Sequence, residues 1–338
     1  MNRTMKMARV VLALLMVMLV SPAFAQRRLT IRMASPVPEN TSWGRVFSQL
    51  ADDFRRITDG QVELIIFHNG TAGNEKEVVR NLRVNQLQAA VLSTLGLYEI
   101  TPEAMTLSVP FLIRDDEELD LVLGGLKTDL GERINAKGYF TLAWARIGWV
   151  KFFSKQPVFV PADLKRQKLG TNADQAEMNR VFGAMGFQMV PVSQNDILIA
   201  LNSNTVDAVF SSPVAVGSTQ AFGLARNMAS VNVAPFIGAI VFNERAWRAI
   251  PDRFKPQLFE VTRRREADLD RVVREQEREM IAIMENHGLR VNQLSPEQEQ
   301  QWYDEMGRVT PQLVGTLFDR GIYNRIEAML RDFRNRRR

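Results

Sequence analysis

The sequence FTLAWARIGWVKFF, residues 140–153, decides how the chain folds. Apolar, aromatic and β-branched residues dominate it, and neither proline nor an acidic side chain interrupts it. This composition predicts one long β-strand. Because strands in globular proteins usually have about five or six residues, a strand of this length is expected to pass from one lobe of the molecule into a second.

The residues before this stretch alternate between strand and helix patterns. Apolar residues recur at helical spacing after Ser42, the expected N-cap, and again from Glu75. This alternation predicts a parallel sheet with helices on its faces. Strands are predicted at 29–33, 61–67 and 87–93, and helices at 42–58, from Glu75 and at 115–127.

The same alternation restarts after residue 153. Strands are predicted at 168–171, 188–191 and 206–210, and helices at 174–185 and 193–202. A strand at 236–242 and a long, highly charged helix at 251–287 follow. Finally, Ser295-Pro296-Glu297-Gln298 forms a capping box that opens a C-terminal helix.

The length of the chain implies more than one hydrophobic core. Single cores stop growing at about 250–300 residues, and the chain has 338. We therefore expect an α/β protein of two lobes. Lobe 1 is predicted to comprise residues 26–147, and the chain returns to it at about 237–260. Lobe 2 is predicted to comprise residues 148–236. The helix at 251–287 is expected to span both lobes, and C-terminal helices are expected at 295–338.

The first 25 residues have the pattern of a secretory signal peptide. Arg3, Lys6 and Arg9 precede an apolar run at 10–20, and cleavage is expected near Ala25. The run is too short to span a membrane, so we expect export to the periplasm. Removal of these three cations lowers the net charge from +5 to +2, and the absence of cysteine excludes disulfides and thiol catalysis.

The sequence contains no recognisable catalytic or metal-binding motif. His68 and His287 are far apart and lack ligand partners at helical spacing. Neither a nucleophile elbow nor a glycine-rich phosphate loop occurs, and acids alternate with bases, unlike a nucleic-acid-binding surface. We expect a binding protein and no enzyme, with no catalytic residue, metal or cofactor and no nucleic-acid partner.

Several segments follow one another in an order typical of a single family. They are TDGQVEL (58–64), NGTAGNEKE (69–77), LSVPFL (107–112), FSKQPV (153–158), PADLK (161–165) and the run 185–208. Through them, the chain from about Leu29 to Phe259 resembles the solute-binding subunits of tripartite ATP-independent periplasmic (TRAP) transporters, of the DctP type.

This resemblance implies the two-lobed periplasmic binding protein fold, with strands that cross between the lobes and a long lobe-spanning helix. It implies a small organic solute as ligand and the TRAP membrane permease subunits as partners. A monomer or a homodimer is expected. A periplasmic sensor that presents a solute to a membrane receptor is the alternative, because the same fold serves both purposes.

The sequence departs from the family at the residues that hold the ligand. The family usually binds organic acids through an arginine in the strand after D-L-K, and often through a second in a G-F-R stretch; the corresponding residues here are Gly170 and Val150. A buried carboxylate without such a partner is costly to desolvate. Three interpretations remain: the ligand is neutral or apolar, a displaced cation such as Lys151 or Arg146 replaces the arginines, or the alignment is shifted by one or two residues.

The candidate ligand-binding residues lie at strand ends that face the crevice between the lobes, where open α/β sheets bind ligands. Several of them have an alternative structural role: Trp43 and Phe153 in a core, Thr71, Asn74 and Ser211 as caps, and Phe236 in packing at the lobe crossing. The complete set is Trp43, Thr71, Asn74, Ser93, Thr94, Lys151, Phe153, Gly170, Thr171, Asn172, Phe210, Ser211, Ser212 and Phe236.

Overall fold

The computed structural model describes residues 28–171, 176–193 and 196–337. The predicted signal segment and Asn172 lie outside this part of the chain. Within it, ten strands form one sheet, in the order β2-β1-β3-β9-β4-β7-β5-β6, with β8 paired to β4 and β10. The strands are β1 Leu29–Ala34, β2 Val62–Phe67, β3 Ala89–Ser93, β4 Tyr139–Ser154, β5 Lys168–Thr171, β6 Gln188–Pro191, β7 Ala208–Ser211, β8 Asn227–Ala229, β9 Ala234–Asn243 and β10 Arg290–Asn292.

Strand β4 is the long strand predicted from residues 140–153, and it joins two halves of the sheet. Residues 139–150 pair with β9 in one half, and residues 151–154 pair with β7 in the other. In the first half β1 lies parallel to β2 and β3, and in the second β5 lies parallel to β6 and β7. We refer to these halves, with the helices packed on them, as lobe 1 and lobe 2.

Helices cover both faces of each lobe, as the strand–helix alternation predicts. The helices of eight or more residues are α1 Ser42–Ile57, α2 Glu75–Arg83, α4 Asp116–Asn135, α6 Ala176–Ala184, α10 Lys255–Asn286, α11 Pro296–Val309 and α12 Arg320–Arg337. The shorter ones are α3 Thr94–Tyr98, α5 Pro161–Lys165, α7 Ile197–Asn202, α8 Pro213–Ser218 and α9 Glu244–Ala249.

Four helix boundaries differ from the prediction. Helix α10, predicted from residue 251, begins at Lys255, after a 3-10 turn at Asp252–Phe254. The N-cap of α1 is Thr41, whose hydroxyl accepts the Gly44 N–H at 3.0 Å, and Ser42 is the first helical residue. Helix α4 continues to Asn135 because Leu130 and Ile134 extend its buried face. Helix α7 begins after Asp196 and not at Ser193, whose hydroxyl instead donates to the Asp196 carboxylate at 2.6 Å. The Ser295 capping box is confirmed.

Helix α10 connects the cores of both lobes. Leu258, Val261 and Leu269 pack in a core of lobe 1 around β1 and β9. Near its C-terminal end, Met284 packs in a core of lobe 2 with Phe153. The charged middle of the helix therefore lies alongside the strand crossing between the two lobes. No helix in the described part of the chain combines the length and the apolar character that a membrane crossing requires.

Candidate functional site

The strand ends of the two lobes face each other across the middle of β4. In lobe 1, the last residue of β3, Ser93, pairs with Gly238, which itself pairs with Ala145 of β4. In lobe 2, the last residue of β7, Ser211, pairs with Lys151 of β4. Six residues of β4 separate the two levels, or about 20 Å at ~3.3 Å per residue. The carboxyl ends of the parallel strands thus border one crevice, which is the position where open α/β sheets bind ligands.

The lobe 1 candidates Thr71 and Asn74 have structural roles. The Thr71 hydroxyl donates to the His68 carbonyl at 2.8 Å within the turn. Asn74 caps α2, and its side chain accepts the Glu77 N–H at 2.9 Å while the Glu77 carboxylate accepts the Asn74 N–H. Both side chains are exposed, so neither needs a ligand to satisfy its hydrogen bonds.

Ser93 and Thr94 lie at the end of β3 and are buried. Ser93 donates both its N–H and its hydroxyl to the Glu75 carboxylate, each at 2.6 Å. Thr94 accepts a hydrogen bond from the Ser108 hydroxyl at 3.1 Å. Glu75 was not predicted from the sequence, because its hydrogen bonds to Ser93 join two elements that are separated in the chain. Its half-buried carboxylate places a negative charge at this edge of the crevice.

Two candidates present polar atoms that lack a partner. The indole Nε1 of Trp43, at the start of α1, is buried and makes no hydrogen bond to the described residues. The hydroxyl of Thr171 is also buried and makes no hydrogen bond to the described residues. Thr171 is the last residue of β5 and is only 3% exposed. Buried polar groups are normally hydrogen-bonded, but these two neutral groups are unsatisfied within the described part of the chain.

The remaining candidates, on β4, on β9 and in lobe 2, fall into two groups. Phe153 is fully buried in the core around Met284, which makes it a packing residue and removes it from the crevice. Ser212 caps α8 by accepting the Ala215 N–H at 3.2 Å. Those that stay partly exposed beside the crossing are Phe210, Ser211 and Phe236.

Gly170 is buried in β5, and the space beside it is small. A Cβ atom placed there would lie 3.3 Å from Val206 Cγ1 and 3.4 Å from Val209 Cγ1. These are tight contacts that the two valines can accept with small shifts. The position therefore tolerates alanine more readily than a long side chain.

Lys151 is buried at the crossing and is already bonded within the protein. Its ammonium donates to the Ser230 carbonyl at 2.7 Å and to the Asn232 side-chain oxygen at 2.9 Å. Burial lowers the pKa of Lys151, and the nearby charge of Glu277 opposes that shift. The interactions of this cation are those of a structural group at the junction of the lobes.

Arg146 is also committed to internal partners. Its side chain is only 4% exposed and binds the carboxylates of Asp116, Asp120 and Asp270. Asp116 and Asp120 lie on α4, and Asp270 lies on α10. Nε lies 2.8 Å from the Asp270 carboxylate without hydrogen-bond geometry, and an acidic ligand would have to compete with three carboxylates that already surround this guanidinium.

Glu277 gives the crossing a predictable pH dependence. Its carboxylate accepts the Trp149 N–H at 3.2 Å, and burial raises the pKa of Glu277 against the opposing effect of Lys151. The folded protein therefore holds this proton to higher pH than the unfolded chain, so the stabilisation is full below the unfolded pKa and is lost as pH rises through the folded pKa.

Glu277→Gln should remove this loss, because glutamine stays neutral and still accepts the Trp149 N–H. We expect the unfolding free energy of the variant to rise relative to wild type between about pH 4.5 and neutral pH, as measured by urea denaturation at several pH values. Glu275→Gln, on the exposed side of the same helix, is the matched control. Parallel curves for wild type and Glu277→Gln would contradict the prediction.

The sheet order, the crossing strand and the crevice between two sets of strand ends define a two-lobed α/β binding protein. Residues 33–315 match the model of bacterial extracellular solute-binding protein family 7 (DctP). The chain belongs to this family.

Comparisons with individual proteins agree with this assignment. The chain is 28% identical to a solute-binding protein of Verminephrobacter eiseniae over 55% of its own length and 56% of that relative, or about half of each. It is 25% identical to the 2,3-diketo-L-gulonate-binding periplasmic protein YiaO of Escherichia coli, over 71% of this chain and 74% of the relative. The sugar acid binding protein DctPAm of Advenella mimigardefordensis, solved with galactonate, superimposes with a TM-score of 0.80 at 17% identity, covering 90% and 99% of the two chains.

Proposed function

We propose that this protein captures a small organic solute between its lobes in the periplasm and delivers it to the membrane permease subunits of a TRAP transporter. Family membership and the crevice between the strand ends support the proposal. We further propose that the solute is neutral or hydrophobic, which differs from the sugar acids named for two of the similar proteins.

The commitment of both buried cations to internal partners carries the second proposal. Arg146 is bonded to three carboxylates, and Lys151 is bonded to a carbonyl and an amide oxygen. Using either cation for a ligand would require breaking those bonds and leaving their partners unsatisfied in a buried region. This speaks against a displaced cation as the replacement for the family's arginines.

Among the predicted ligand-binding residues, the groups without a hydrogen-bond partner favour a neutral solute; beside the crossing, the buried Nε of Arg114 also lacks a partner. Trp43 and Thr171 offer an indole N–H and a hydroxyl, both neutral. Glu75 adds a negative charge that disfavours a second carboxylate nearby. Half-buried Phe210 and Phe236 supply apolar surface beside them. A molecule with an uncharged hydrogen-bond acceptor and an apolar body matches these groups.

Native mass spectrometry of freshly purified protein, followed by extraction of the bound molecule, tests the proposal. We expect a bound species of low mass that has no acidic group and returns from the protein unchanged. A small dicarboxylate as the tightly bound molecule would contradict the neutral-solute proposal. Chemical conversion of the molecule by the protein would contradict the assignment as a binding protein.

A further inference from the structure

The crossing strand bends at a single glycine. The pairing of β4 with β9 is irregular between Arg146 and Gly148, and Gly148 has φ of +132°. Residues with a Cβ rarely adopt this conformation, and a Cβ here would also lie 3.0 Å from the Glu277 carboxylate. Gly148 is therefore the point at which the strand bends, two residues before its pairing with β9 ends and three residues before its pairing with β7 in lobe 2 begins.

One carboxylate is bonded to the strand on both sides of this bend. Asp116 accepts hydrogen bonds from the Arg146 guanidinium and, at 2.9 Å, from the Trp149 indole Nε1. Its second oxygen accepts from Arg274 of α10 at 3.1 Å. Asp116 is the first residue of α4, where the helix N-terminus favours a negative charge. The residue thus links the two sides of the bend to a helix of lobe 1 and to the lobe-spanning helix.

We propose that Asp116 is the positioning residue of the hinge, and that it sets the angle between the lobes by tying Arg146 and Trp149 to one carboxylate. The inference rests on the proposed capture of a solute between two lobes that move relative to each other. While Arg146 and Trp149 both donate to the Asp116 carboxylate, rotation at Gly148 requires breaking at least one of these two hydrogen bonds. Without the Asp116 carboxylate, Arg146 keeps its ion pairs to Asp120 and Asp270, while the Trp149 side of the bend keeps its sheet pairing, its core packing and the Glu277 contact to its N–H.

Asp120 provides a matched control on the same helix. It lies one turn further along α4 and also binds Arg146, at 2.6 Å, but among the described residues it bonds neither Trp149 nor Arg274. Loss of either aspartate removes one ion pair from Arg146. Only loss of Asp116 releases the far side of the bend.

Distances between the lobes, measured by double electron–electron resonance, test the proposal without knowledge of the solute. The chain has no cysteine, so spin labels at Lys76→Cys on α2 and Ala184→Cys on α6, both exposed, report one inter-lobe distance. We expect Asp116→Ala to broaden the distance distribution about twofold relative to wild type, because more hinge angles become populated. Asp120→Ala should leave the width unchanged.

Trp149→Phe removes only the indole N–H and keeps the ring in place, so it should broaden the distribution as Asp116→Ala does. This second variant keeps the test valid if Asp116→Ala folds poorly. Equal widths for wild type, Asp116→Ala and Trp149→Phe overturn the proposal, and so does equal broadening by Asp120→Ala. Either result leaves solute binding intact, because native mass spectrometry of the wild-type protein measures that separately.

Discussion

Replacing Gly170 with arginine is expected to weaken binding of the solute by at least about 100-fold. The new side chain starts between Val206 and Val209, where even a Cβ makes contacts of 3.3 and 3.4 Å. Because its guanidinium cannot remain unpaired among valines, we expect the side chain to turn toward the end of β5 at Thr171. There it occupies space proposed for a neutral solute and brings a charge that such a solute does not neutralise. Titration of the extracted solute into each variant measures the effect.

Two substitutions control for general damage to the fold. Gly170→Ala should change affinity little, since the two valines need to move by only a few tenths of an ångström. Gly183→Arg adds the same charge to lobe 2 at an exposed site with no atom within 4 Å of the new Cβ, and binding should be unaffected. If Gly170→Arg binds the solute as tightly as wild type, residue 170 lies away from the site.

Arg146→Met is expected to lower the unfolding free energy by about 3 kcal/mol, because it removes the buried partner of three carboxylates. The estimate stands at the lower end of the range for buried ion pairs, since the carboxylates are 31–62% exposed and regain water. Solute affinity of the folded protein should stay within about tenfold of wild type, because the residue does not contact the solute in this account. Urea denaturation and titration give the two quantities.

Arg274→Met is the matched control for Arg146→Met. Arg274 binds two of the same carboxylates, Asp116 and Asp270, but its side chain is 40% exposed, so its loss should cost less than about 1 kcal/mol. A large loss of solute affinity in Arg146→Met with little change in stability would identify Arg146 as the displaced ligand clamp and contradict the structural role.

The sequence alone predicted the main elements of the fold because their signals are local. A long, mostly apolar stretch without proline or acidic residues predicted β4, and regularly spaced apolar residues in a highly charged segment predicted α10. The short strands β8 and β10 were not predicted, because three residues each are too few to show an alternation of apolar and polar residues. The last two turns of α4 were also not predicted, because Gly125 and Gly131 lower the helix propensity of this segment. In the structure, contacts with α12 stabilise these turns.

The candidate site was harder to predict because its decisive contacts join distant segments. The family resemblance predicts that Val150 and Gly170 stand where arginines are usual, but the sequence could not show what Arg146 binds. Its partners are 26 and 30 residues before it on α4, and Asp270 on α10 after it. Likewise, only the fold shows that Phe153 faces a core and that Asn74 caps a helix.

Calorimetric titration with matched pairs of an acid and its neutral counterpart tests the central claim most directly. Suitable pairs are galactonate with its lactone and succinate with succinamide, since each pair keeps nearly the same size and changes the charge. The account predicts that the neutral member binds more tightly than the acid in every pair that shows binding. Tighter binding of the acid by about tenfold or more, equivalent to ~1.4 kcal/mol, would show that this crevice still contains a carboxylate clamp and would contradict the account.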